Sequence, residues 1–168
     1  MKSLILYDSV FGNTRTIAEA IGKALGAPVR SVTEISTDDL QGIELFIVGS
    51  PTRAFRPTKP LSRFLGSLHA QTLTGVQAAA FDTRADLADL KSKLLDIMVR
   101  IFGYAAPCIE KQLRKKGARV IASAEGFFIK GTEGPLKEGE PARAVTWAAA
   151  LKVTETIVAG QRKPHETP

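Results

Sequence analysis

Apolar runs and helix-spaced apolar positions alternate along the chain. Ser3-Leu4-Ile5-Leu6-Tyr7-Asp8 reads as a short buried strand, and Ile17, Ala20, Ile21, Ala24 and Leu25 then recur at helical spacing. After the break at Gly26-Ala27-Pro28, Val29, Val32 and Ile35 alternate incompletely, which predicts a weak edge strand over 29–35. Ile43-Glu44-Leu45-Phe46-Ile47-Val48-Gly49 predicts a strongly buried strand, and residues 50–57 a loop. Leu61, Phe64, Leu65 and Leu68 follow the i, i+3, i+4, i+7 pattern of an amphipathic helix. An alanine-rich strand is predicted over 76–81, ending in a loop at Asp82-Thr83-Arg84. Leu87, Leu90, Leu94, Ile97, Met98 and Ile101 predict a helix over 87–102, closed by Gly103, and a further helix covers 105–116. Residues 119–123 and 126–130 make a last strand, bent where Gly126 interrupts the apolar pattern. A loop at 131–135 leads to a final helix ending near residue 159, and the polar stretch 161–168 reads as a flexible tail.

Five strands alternating with helices predict an α/β fold: a three-layer, doubly wound, five-stranded parallel sheet covered on both faces. Right-handed crossovers limit the topologies, and the common doubly wound order for five strands is 2-1-3-4-5, whose binding crevice lies beyond the carboxyl ends of strands 1 and 3. The loops 9–14 and 50–57 flank that crevice, with 82–84 beside them. A single domain over 1–160 is expected.

Composition narrows the setting. A chain of 168 residues with 44% hydrophobic content can hold one full core. The first strand begins by residue 3, leaving no room for a signal peptide, and no apolar run approaches membrane-spanning length, so a cytoplasmic protein with no membrane insertion is expected. Cys108 is the single cysteine, which rules out an internal disulfide and fits a reducing compartment; no metal site is expected. The net charge of +6 suits an acidic protein partner or an anionic cofactor. It does not point to nucleic acid. The basic residues are scattered apart from Lys111, Arg114, Lys115 and Lys116 at a helix end, where cations oppose the macrodipole, and no aromatic residues interleave with them.

The candidate chemistry sits in Ser9-Val10-Phe11-Gly12-Asn13-Thr14, between the first strand and the first helix. A helix start leaves backbone N–H groups without partners and carries partial positive charge, so an anion placed there is stabilised twice. Capping alone would need one such residue. The stretch lacks the lysine and length of a P-loop and also lacks G-x-G-x-x-G, which disfavours a nucleoside triphosphate and a dinucleotide.

The segment Tyr7-Asp8-Ser9 with Gly12-Asn13-Thr14, taken with Gly49-Ser50-Pro51-Thr52-Arg53, resembles the flavodoxin-like family of FMN proteins over nearly the whole chain. The resemblance implies that Ser9, Val10, Phe11, Gly12, Asn13 and Thr14 hold the FMN phosphate. It implies further that Pro51, Thr52, Arg53, Ala54 and Phe55 line the isoalloxazine ring, with Phe55 offering an aromatic face. Asp82, Thr83 and Arg84 would meet the pyrimidine edge and ribityl side. No catalytic side chain is required, because the flavin carries the redox chemistry.

The chain departs from the acidic electron-carrying members in being basic and in having Arg84 where they often place a tyrosine. Positive charge from Arg53, Arg56 and Arg84 beside the ring would raise its potential. The leading expectation is a redox carrier working between protein partners, with acidic partners suiting the basic surface. An NAD(P)H-dependent quinone or flavin reductase is the alternative, and a flavin-less regulatory module of the same fold a further one. The apolar helix at 87–102 is expected to contact a second subunit in a homo-oligomer. A response-regulator receiver is set aside, because Gly49-Ser50 stands where its phospho-accepting Asp would be. The Cys108/Arg114 spacing of a tyrosine phosphatase falls inside a helix without a glycine cradle.

Overall fold

The computed structural model describes residues 2–90 and 93–160; the tail expected at 161–168 lies outside the described residues. Strands β1 (Ser3–Tyr7), β2 (Val29–Ser31), β3 (Leu45–Pro51), β4 (Gln77–Ala85) and β5 (Arg119–Val120) form a parallel sheet in the order β2-β1-β3-β4-β5, and β6 (Glu125–Ile129) also pairs with β4. This is the predicted 2-1-3-4-5 order. Its last lane is filled in two pieces, β5 opposite Gln77 and Ala78, and β6 opposite Phe81 to Ala85. The helices are α1 (Asn13–Leu25), α2 (Lys59–Ser67), α3 (Leu87–Leu90), α4 (Lys93–Phe102), α5 (Ala105–Lys115) and α6 (Glu140–Gly160). Among the described residues no helix is long and apolar enough to cross a membrane.

Strand side chains alternate faces, and that alternation divides the core. Leu4, Leu6, Phe46, Val48, Ala78 and Ala80 pack with Leu61 and Leu65 of α2 and Ile109 and Leu113 of α5. Their neighbours Ile5, Leu45, Ile47, Ala79 and Phe81 pack on the other face with Ile17 and Ile21 of α1 and Ala144, Ala148 and Leu151 of α6. Each fully buried Ile, Leu or Phe stabilises the fold by roughly 1.5–3 kcal/mol. On the second face the Phe81, Phe127 and Trp147 rings meet edge to face, with centroids 6.0 to 6.3 Å apart. Phe81 also explains Gly49, since a Cβ there would lie 2.0 Å from Phe81 Cζ.

Two sequence expectations need correction. The predicted strand over 29–35 is confined to Val29–Ser31; Val32 is buried and still donates to the Tyr7 carbonyl at 2.8 Å, but the pattern fails beyond it. Asp82, Thr83 and Arg84 are not a loop. They are ladder residues of β4, because β6 pairs alongside them and continues the sheet past the apolar run.

Candidate functional site

The carboxyl ends of β1, β3 and β4 converge where the winding reverses. After β1, Asp8 Oδ1 accepts the Ser9 N–H at 2.8 Å, and Ser9 Oγ accepts the N–H groups of Gly12 at 3.1 Å and Arg15 at 3.4 Å. Gly12 caps α1 in a left-handed conformation, φ 88°, which a side-chain residue would adopt only under strain. Among the described residues no acceptor meets the backbone N–H groups of Val10, Phe11, Asn13 and Thr14. Thr14 Oγ1 lies 2.8 Å from Thr83 Oγ1, both residues being almost fully buried. Either hydroxyl can donate to the other, and the pair retains one hydrogen for a further acceptor. Asn13 Nδ2 donates to the Glu133 carbonyl at 2.7 Å, which ties the turn to the loop after β6. Val10, Phe11, Asn13, Thr14, Pro51, Thr52, Arg53, Thr83, Ile129 and Thr132 enclose a small hollow of about 20 Å³.

A larger hollow of about 350 Å³ adjoins it, sharing Thr52, Arg53, Ile129 and Thr132. One wall is a two-residue hairpin: Arg53 and Arg56 exchange N–H···O bonds of 2.9 and 3.0 Å across Ala54 (φ 45°) and Phe55 (φ 67°). Both tip residues occupy the left-handed region that such tight turns demand and that Gly or Asn usually supplies. Phe55 lines the hollow, and its ring sits 5.7 Å from that of Phe102. Arg84, Ala85, Leu87, Val99, Tyr104 and Glu133 complete the lining.

The floor is built by capping. The N-cap of α5, Tyr104, makes no side-chain cap, so two residues from outside the helix supply it. Thr52 Oγ1 accepts the Ala105 N–H at 2.9 Å, and Asp82 Oδ2 accepts that of Ala106 at 2.8 Å. Asp82 Oδ1 accepts from Arg84 Nε at 2.5 Å, and the Arg84 guanidinium lies over the Tyr104 ring, 3.6 Å from its centroid. Burial pushes the Asp82 carboxyl above its ordinary range, while the Arg84 charge and hydrogen bond pull it back. Arg84 thus reaches the hollow with a carboxylate already beside it. Arg53 lines both hollows, rests over the Phe11 ring at 5.4 Å and, among the described residues, has no carboxylate partner.

Most sequence-derived candidates therefore come together. Val10, Phe11, Asn13, Thr14, Pro51, Thr52, Arg53, Ala54, Phe55, Thr83 and Arg84 line the two hollows. Ser9, Gly12 and Asp82 line neither; Ser9 and Gly12 shape the turn, and Asp82 lies beneath the floor. Arg56 points to a separate hollow beside α2. Ala85, Leu87, Val99, Tyr104, Ile129, Thr132 and Glu133 also line the larger hollow and were not expected from the sequence. Tyr104 carried a usable signal, an aromatic residue directly after the glycine between two helices. The Gly126 interruption was another: a Cβ there would lie 2.3 Å from Arg84 Cζ, so this glycine makes room for the arginine.

No family model matches the chain, and no curated protein matches it. Solved structures do. A flavodoxin from the domain Archaea superposes with TM-score 0.70 at 23% identity, covering 94% of this chain and 99% of that one. Oxidised flavodoxin 2 from Bacillus cereus gives TM-score 0.71 at 20% identity, covering 91% and 99%. The flavodiiron protein from Giardia intestinalis gives 0.69 at 18%, covering 97% of this chain and 38% of that one. Strand order, helix placement and these superpositions define the class: the chain has the flavodoxin-like α/β fold.

Proposed function

We propose that the protein binds FMN in the paired hollows and transfers electrons between protein partners through it. The observation that carries this reading is the adjacency of two unlike spaces at the reversal of winding. One is small and bordered by unpartnered backbone N–H groups and a hydroxyl pair at a helix start. The other is roomier, falls in the roughly 300–1,000 Å³ range of small-molecule sites and is walled by Phe55 and Tyr104. A molecule with a phosphate at one end and a planar ring at the other matches both, and the solved flavodoxins of the same fold support the choice.

Bound flavin would supply one- and two-electron chemistry. The chain's own residues do the rest. The N–H groups of Val10, Phe11, Asn13 and Thr14 and the spare hydroxyl hydrogen of the Thr14/Thr83 pair hold the phosphate. Phe55 and Tyr104 keep water from the larger space. Arg53 brings a cation without a carboxylate partner to both hollows, whereas Arg84 brings one balanced by Asp82.

Purified protein mixed with FMN should show flavin-fluorescence quenching with one-to-one stoichiometry. A protein that binds neither FMN nor riboflavin overturns the reading. Sustained NAD(P)H oxidation with a quinone acceptor would replace the carrier by a reductase.

A further inference from the structure

Large exposed apolar side chains are few among the described residues and are unevenly placed. Val10 and Phe11 stand on the turn after β1, and Ile97, Ile101 and Phe102 on α4, at 47 to 66% exposure; Val145 on α6 is the other one. Three of them border the paired hollows: Val10 lines the smaller one, Phe11 lies under Arg53 and Phe102 against Phe55, while Val99 of α4 lines the larger hollow itself.

Basic residues rim the same face. Arg56, Lys59 and Arg63 share a second hollow of about 660 Å³ with Phe102, Ser62 and Gln112. With Arg53 they form a group of exposed cations, none with a carboxylate partner among the described residues. Glu133 is the acidic residue in the lining of the larger hollow.

Folding gains little from this arrangement. Lys59 occupies the first turn of α2, where the helix dipole disfavours a cation, and Lys59 and Arg63 are like charges four residues apart on one helix face. Exposed aromatic and aliphatic side chains ringed by arginines are the makeup of a protein interface.

We infer that this face docks an acidic protein, with Val10, Phe11 and Phe102 as its apolar centre and Arg53, Arg56, Lys59 and Arg63 as its charged rim. A second copy of the chain fits poorly. A two-fold contact would set the face against itself and oppose four cations with four. The inference rests on the redox reading for its purpose, though not for its test.

The test is association of a plant-type ferredoxin, as an acidic redox probe, with the FMN-free and the FMN-treated protein. It is followed by calorimetry and stopped-flow, with cytochrome c as a basic control. The expected result is binding of the acidic probe alone, in both forms. Raising the salt should slow association, and Lys59→Glu/Arg63→Glu should slow it by about tenfold or more, within the range of electrostatic steering. These two side chains belong to α2 and line neither flavin hollow, so FMN affinity should stay as it was. Equal association rates for the double variant and the parent would overturn the inference. So would sedimentation showing a parent dimer that Phe102→Asp dissolves. Failure to bind FMN while the ferredoxin still docks would overturn the redox reading and leave the docking face standing.

Discussion

The Thr14/Thr83 hydroxyl pair permits a test that separates folding from ligand recognition. Both groups are buried, at 1% and 3% exposure, and their oxygens are 2.8 Å apart. Thr14→Val leaves the Thr83 hydroxyl buried without that partner, and Thr83→Val does the same to Thr14. Each should cost about 1–3 kcal/mol, whereas replacing both by the similarly shaped valine should be nearly neutral. Urea unfolding of the four flavin-free proteins should therefore give single-variant losses whose sum exceeds the double-variant loss by about 2–6 kcal/mol. Ligand binding should follow a different pattern. The pair's spare hydrogen can be donated to the phosphate, and a hydrogen bond to a charged group is worth about 1.5–3 kcal/mol. The double variant, though well folded, should bind FMN about 10- to 150-fold more weakly. Riboflavin, which lacks the phosphate, should bind as before. An additive stability cycle, or equal losses for FMN and riboflavin, would refute the assignment.

Gly126→Ala would drive a Cβ to 2.3 Å from Arg84 Cζ; the displaced guanidinium should leave Tyr104 and Asp82 and lower stability by about 1–3 kcal/mol, and an unchanged urea midpoint would contradict this. Ala54→Gly relieves a left-handed non-glycine residue at the hairpin tip and should raise stability by about 1 kcal/mol, measured the same way. The folded-state pKa of Asp82 is raised by burial above its unfolded value, so its stabilising contribution is full below about pH 4 and is lost as pH rises through the folded value. Asp82→Asn should abolish that decline, and parallel stability–pH curves for the two proteins would refute it. Asp86 runs the opposite way: the hydrogen bond from Lys137 lowers its pKa, so its contribution is present above about pH 4 and is lost as pH falls.

The apolar runs of β1, β3 and β4 and the helix spacings made the covered parallel sheet legible in the sequence, because such a sheet writes itself as continuous apolar stretches; its order followed from the common doubly wound topology. The turn 9–14 was legible for a different reason: its polar residues are contiguous. The outer wall of the larger hollow was not. Val99, Tyr104, Ile129 and Thr132 come from separate segments that meet only once β6 has paired with the far half of β4. The polar character of Asp82-Thr83-Arg84 concealed their strand conformation, since each side chain answers a partner elsewhere: the start of α5, Thr14, and Tyr104 with Asp82. Local pattern reports the core, whereas these residues are polar because of distant neighbours.

The borrowed caps of α5 also bear on the order in which the molecule assembles. An isolated helix of eleven residues is marginal in water, and the first turn of this one depends on Thr52 and Asp82. Those two groups are in place only after β3 and β4 have paired, so α5 should consolidate late. Pulse-labelled amide exchange during refolding should then protect Ala105 and Ala106 after the β3–β4 ladder. The floor of the larger hollow would then set only after the β3–β4 ladder, so strand pairing precedes the surface that the hollow presents.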